Sequence, residues 1–189
     1  SADDLIKVFS SESFTRTDIK IDGRAEITSD GVDNGLSVTF LEGIRKNGLQ
    51  VYAAFEDQDQ VFLSYEVSFG EDYDFSKGIK LFGLGGKPEG AKNPTGGKTE
   101  EEEKEVEGYS YRIMVKGSDN YIWDGVPGED GYGRAEQYIY NTNQDEKAVS
   151  KEFNVYGHDV LFKQGESYQV DQLIITNTPG VNNGIVTTW

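Results

Sequence analysis

Apolar and polar residues alternate in short runs along this chain, which is the period-2 signature of strands. Gln60 to Phe69 is the plainest case, with Val61, Leu63, Tyr65, Val67 and Phe69 on one face. Tyr109 to Val115 repeats it through Tyr109, Tyr111, Ile113 and Val115, and Leu36 to Phe40 is a shorter example. Gln137 to Asn141, Phe153 to Tyr156 and Val170 to Thr176 predict further strands. Glycine- and aspartate-rich turns such as Ser29-Asp30-Gly31 and Glu129-Asp130-Gly131 separate these runs. No segment carries a helix-length apolar stripe at the 3.6 period. The chain is therefore expected to be all-β, a sandwich of two antiparallel sheets, with residues 1–189 forming a single domain and no internal repeat.

Two connections interrupt the alternation. Gly83 to Gly97 is rich in glycine, lysine and proline and is expected to be irregular. It runs toward Thr99-Glu100-Glu101-Glu102-Glu103-Lys104-Glu105, a block of mostly like charge expected to sit in solvent. Long loops in compact domains often border binding sites.

Composition narrows the function classes. At 35 % hydrophobic and 12 % aromatic residues, the chain has the means to build a core rather than stay disordered. The absence of cysteine excludes disulfides and thiolate-metal sites. No run approaches the ~20 apolar residues of a membrane helix, and Ser1-Ala2-Asp3-Asp4 does not read as a signal peptide. A formal charge of −16 argues against nucleic acid, whose phosphates need a basic groove. The same charge slows a polyanionic ligand unless cations gather locally. Lys77, Lys80, Lys87, Lys92, Lys98 and Arg112 are the residues available for that.

The faces opposite the apolar ones hold the candidate chemistry. Ser110 and Arg112 point away from Tyr109, Tyr111 and Ile113, and Tyr138 and Tyr140 share a face opposite Ile139. Lys80 opposes its apolar neighbours in Gly78-Ile79-Lys80-Leu81, and Gln50 and Tyr52 share a face. Each has a plain explanation alone: a strand lysine is usually solvated, and a Tyr-x-Tyr pair usually packs across strands. Together they supply two cations, hydroxyls and two phenols, which suits cleavage of a polyuronate by β-elimination. Cations or amide donors neutralise the uronate carboxylate and stabilise the enolate that follows loss of the C5 proton. A base takes that proton and an acid protonates the departing O4. This chemistry requires no metal.

Oxygen ligands for a structural calcium exist in Asp30-Gly31-Val32-Asp33-Asn34-Gly35 and in Asp124 with Glu129-Asp130. Neither has the spacing of a calcium loop, so turn chemistry is the expectation there. His158 is the sole histidine, which rules out a His-cluster metal site and leaves it as a turn or packing residue, with proton transfer as the alternative.

Five segments, in order, carry a resemblance to a known family. Asp74-Phe75-Ser76-Lys77-Gly78-Ile79-Lys80-Leu81-Phe82-Gly83-Leu84-Gly85-Gly86 resembles Phe-x-x-Gly-Gly-Lys-Leu-Pro-Gly-Leu-x-Gly-Gly of the alginate and glucuronan lyases, polysaccharide lyase families fourteen and twenty. Leu63 to Phe69 is similar to their Leu-Ser-Tyr-x-Val-x-Phe strand, Ser110 to Met114 to Ser-x-Arg-x-Met, and Tyr138 to Tyr140 to Tyr-x-Tyr. Thr176 to Gly184 is similar to an Asn-Thr-Pro-Gly-x-x-Asn-Gly loop.

The resemblance implies a β-jelly roll with a concave groove. Within it, Lys80, Ser110, Arg112, Tyr138 and Tyr140 would be catalytic: Arg112 engages the carboxylate, and Lys80 and Tyr140 share the base and acid work. Gln50 and Tyr52 would contact substrate. The expected partner is an acidic polysaccharide, bound by a secreted, extracellular monomer that needs no cofactor, nucleic acid or membrane. Ile79 and Phe82 depart from the family's glycine and proline around Lys80, and Val115 stands where tryptophan is common. The Arg112-to-Tyr138 segment is longer than usual, adding Tyr121, Trp123 and the Asp124-to-Gly133 loop, and the family pattern continues past Trp189, so either the C-terminal strand is cut short or the domain closes its sheet differently. These departures keep a second class open, a carbohydrate-binding or surface module that retains the sandwich without catalysis.

Overall fold

The structure is a computed structural model that describes residues 14–21, 25–29, 34–40, 49–91, 108–117, 122–123, 126–127, 131–140, 149–152, 154–155 and 158–189. These residues form strands and turns, with no helix among them. In chain order the strands are β1 (Phe14–Ile21), β2 (Ala25–Ser29), β3 (Asn34–Val38), β4 (Leu49–Phe55), β5 (Gln60–Ser68), β6 (Ile79–Gly86), β7 (Tyr109–Lys116) and β8 (Ile122–Trp123). They continue with β9 (Val126–Pro127), β10 (Tyr132–Tyr140), β11 (Val149–Glu152), β12 (Asn154–Val155), β13 (His158–Asp159), β14 (Leu161–Lys163), β15 (Ser167–Ile175) and β16 (Ile185–Thr188). Every pairing is antiparallel, as the alternation predicts.

The chain divides into two compact units, Ser1–Gln58 and Asp59–Trp189. In the first, β1 pairs with β4 and β2 with β3. The second is a β-sandwich. One sheet runs β11-β10-β7-β6 with β14 joining β10, and the other runs β16-β15-β5. Their facing sides meet in a core of Phe69, Phe75, Ile113, Val115, Ala135, Phe162 and Val170. Burying a large apolar side chain of this kind contributes about 1.5–3 kcal/mol, so this aromatic-rich cluster drives the stacking of the sheets. Phe69 is its hub, with ring centroids 4.8 Å from Phe75 and 5.4 Å from Phe162.

The alternation in β5 and β7 survives folding. Val61, Leu63, Tyr65 and Val67 lean inward while their neighbours are exposed, and Tyr111, Ile113 and Val115 are buried. The expectation for Gly83 to Gly97 needs correction, because β6 continues as a strand to Gly86. Gly83 and Gly85 pair with Arg112 and Ser110, so these glycines serve close strand approach rather than a loop. Glu100 to Glu105 lies outside the described residues.

Gln172 sits in β15 on the core side, 0 % exposed, and neither its Oε1 nor its Nε2 has a hydrogen-bond partner among the described residues. Leaving a buried polar group unsatisfied costs about 1–3 kcal/mol. Gln172→Met keeps the shape and removes both polar atoms. It is expected to stabilise the protein by about 1–3 kcal/mol, read as a higher urea midpoint at unchanged m-value. A lower midpoint would mean that the amide is needed where it is.

Candidate functional site

The site grows from a turn. Asp74 accepts hydrogen bonds from the Ser76 amide at 2.7 Å and the Ser76 hydroxyl at 2.9 Å. These hold its carboxyl below the usual carboxylate range. The Gly78 amide donates to the Phe75 carbonyl at 2.9 Å. Gly78 adopts φ 69°, and a Cβ there would come within 2.3 Å of the Val115 carbonyl oxygen. The chain leaves this turn as β6 with Ile79 packed against the core and Lys80 exposed on the opposite face.

Between Lys80 and Gly83 the pairing with β7 shifts register: Lys80 opposes Met114, while Gly83 opposes Arg112. The extra residue puts Phe82 beside Tyr65, ring centroids 5.8 Å apart in a T arrangement, and the Tyr65 hydroxyl donates to the Phe82 carbonyl at 3.2 Å. Both departures around the lysine therefore engage core-side residues. Beyond the bulge, Gly83 leaves room for the stem of Arg112.

Strands β7 and β10 complete the face. Their register sets Arg112 opposite Tyr138 and Ser110 opposite Tyr140. The Lys80 ammonium lies 4.5 Å from the centroid of the Tyr138 ring, and the Arg112 guanidinium carbon lies 5.4 Å from it. The Tyr138 and Tyr140 hydroxyls are hydrogen-bonded at 2.7 Å, with their rings 5.2 Å apart. Ser110 is buried beside them. Neither Lys80 nor Arg112 has an acidic partner among the described residues, and the Arg112 Nε is buried without a hydrogen bond there. Two uncompensated cations around one ring form an arrangement that gains from a carboxylate placed between them.

The core-side phenols differ. Burial pushes the Tyr111 hydroxyl up to about 12, against the opposing effect of its hydrogen bond with Thr188. Burial also raises Tyr65, with further help from Tyr111. These groups stay protonated and serve packing.

The fold thus gathers five of the residues singled out from sequence: Lys80, Ser110, Arg112, Tyr138 and Tyr140. Gln50 and Tyr52 are carried instead by β4 of the first unit, where they oppose Lys20 and Asp18; Tyr52 is exposed, and the Gln50 side chain lies outside the described residues. His158 pairs with Val155 across the β12–β13 ladder. Asp30, Asp33, Tyr121, Asp124, Glu129 and Asp130 lie outside the described residues, among which no cluster of three or more His, Asp or Glu could hold a metal.

Sequence reasoning missed a charged group on the same face. Arg134 is 1 % exposed and Glu136 2 %. The Arg134 Nη2 lies 3.4 Å from Glu136 Oε1, and the Lys116 Nζ lies 3.8 Å from Glu136 Oε2. All three share the parity of Tyr138 and Arg112 on β10 and β7, so following each alternation a few residues further would have found them.

Gly83→Ala tests this construction without any ligand. Its Cβ would fall 1.9 Å from the Tyr111 carbonyl oxygen and 2.8 Å from Arg112 Cγ, so β6 must move away from β7. A loss of about 1–3 kcal/mol in urea unfolding is expected, the usual scale of overpacking. A midpoint equal to the wild type would refute the close approach.

No curated protein and no solved structure matches the chain. The family model for polysaccharide lyase 14 matches residues 29–189, a span that includes every residue of the cation–tyrosine face. The chain therefore belongs to the polysaccharide lyase 14 family.

Proposed function

We propose that this polysaccharide lyase cleaves a polyuronate, of the alginate or glucuronan kind, by β-elimination. What carries the reading is the pair of cations, Lys80 and Arg112, set around the Tyr138 ring with no carboxylate partner among the described residues, in a chain with 34 acidic residues. Cations left unpaired in so acidic a protein favour a ligand that brings its own carboxylate, as a uronate does at C5.

In this reading Arg112 binds the carboxylate and draws charge from C5, lowering the cost of forming the enolate. Lys80 and Tyr140 divide the proton transfers. One takes the C5 proton, the electron pair forms the C4–C5 double bond, and the C4–O4 bond breaks as the other protonates O4. Tyr138 holds Lys80 over its ring and Tyr140 by its hydroxyl, so it sets the distance between the two proton-transfer groups. Ser110, opposite Tyr140 in register, supplies a hydroxyl beside them. The side chains supply the charge neutralisation themselves, so the reaction needs no cofactor. A site carried within one chain fits a monomer, and the high acidity fits a protein secreted outside the cell.

Polymannuronate, polyguluronate, glucuronan and neutral glucans separate the outcomes. Ultraviolet absorption from the new double bond is expected on at least one uronate polymer and on no neutral glucan. Lys80→Ala and Tyr140→Phe should each lower the rate by about 10²–10⁴, the scale of a general acid or base, with unchanged melting. Binding without absorbance would make the protein a non-catalytic module, and unaltered rates in both variants would remove this site.

A further inference from the structure

The sheet face that would line the groove extends past the cation–tyrosine cluster, and its far end is built from charge. Along the strand direction one cation occurs at each two-residue step. Arg112 comes first, then Lys80 opposite Met114, then Lys116 opposite Arg134. Each step spans about 6.6–6.8 Å at strand geometry. Lys116 keeps 26 % of its side chain accessible, whereas Arg134 and Glu136 beneath it are sealed.

The burial of that pair calls for an explanation. Taking a carboxylate and a guanidinium out of water costs several kcal/mol each, and their attraction often only offsets the loss. A hydrophobic pair would serve stability as well. Among the described side chains, two cations share the single Glu136 carboxylate. The Lys116 ammonium is held at 3.8 Å, beyond hydrogen-bond reach, and Glu136 Oε2 has no hydrogen bond. Lys116 is thus tethered electrostatically while its donors stay available to another acceptor.

We propose that Lys116, tethered over the groove by the buried Glu136–Arg134 pair, binds a second carboxylate of the same polymer and makes the protein select chains charged on neighbouring sugars. The proposal rests on the uronate reading of the groove and extends it from one sugar to several. Lys116 is a specificity residue that lies away from the reacting atoms; Glu136 and Arg134 position it.

The test compares wild type, Lys116→Met and Lys116→Arg on a uronate polymer and on the same polymer with part of its carboxyls reduced to alcohols. Calorimetry follows binding and ultraviolet absorption follows cleavage. Lys116→Met should raise Kd and KM for the fully charged polymer about 5- to 10-fold, the loss of one charge-assisted contact, with kcat nearly unchanged. It should change little on the reduced polymer, flatten the dependence of Kd on salt, and be restored by Lys116→Arg. Equal losses on both polymers, or none on either, overturn the proposal. If the wild type binds the polymer without cleaving it, the lyase reading fails while the binding comparison still decides for or against Lys116. If it binds no uronate polymer, both fall.

Discussion

The antiparallel pairing of β7 between β6 and β10 is the constraint on which the rest of the second unit depends. One face of β7 delivers Tyr111, Ile113 and Val115 to the core, and the other delivers Ser110, Arg112 and Lys116 to the opposite side of the sheet. A slip of one residue would send the arginine into the core and the valine to the opposite side. Stability and site geometry are therefore enforced by one register. Burial of three core residues fixes the face that Arg112 takes, and the β7–β10 ladder sets it opposite Tyr138.

Charge is organised against the trend of the whole chain. The formal charge of −16 repels a polyanion at long range, yet one sheet face collects Lys80, Arg112, Lys116 and Arg134 against Glu136 among its described side chains. Screening confines the repulsion of distant exposed acids to roughly a Debye length of 8–10 Å, whereas cations on a low-dielectric sheet face act at contact. Local placement can thus dominate net charge. The buried Glu136–Arg134 pair costs desolvation, which makes sense where it orients a neighbouring cation.

The tyrosines show how one side chain takes two roles according to its sheet face. Tyr111 and Tyr65 lie inward, where burial raises their pKa and keeps them protonated, and their hydroxyls settle on Thr188 and the Phe82 carbonyl. Tyr138 and Tyr140 lie on the opposite face, bonded to each other and flanked by two cations. Ile79 and Phe82 follow the same logic. Each departs from the family pattern beside Lys80: Ile79 packs against the core, and Phe82, itself exposed, meets the ring of Tyr65.

Much of this was legible in the residues alone. The alternations of β5 and β7 and the parity of Ser110, Arg112, Tyr138 and Tyr140 follow from the two-residue period of a strand, which is local. The three-residue β14 and the four-residue β16 are too short to show a period, and the glycines of β6 read as a loop because their purpose is proximity to β7. The bulge after Lys80 was equally hidden, since it exists only relative to a partner strand. Sequence by itself determined which side of each strand a residue takes and which family the motifs resemble. Tertiary structure alone decided which strands became neighbours and in what register. It placed Gln50 and Tyr52 in the first unit, and it stacked Lys80 over Tyr138. Side-chain parity is set within a strand, whereas proximity is set by pairing and packing between segments far apart in the chain.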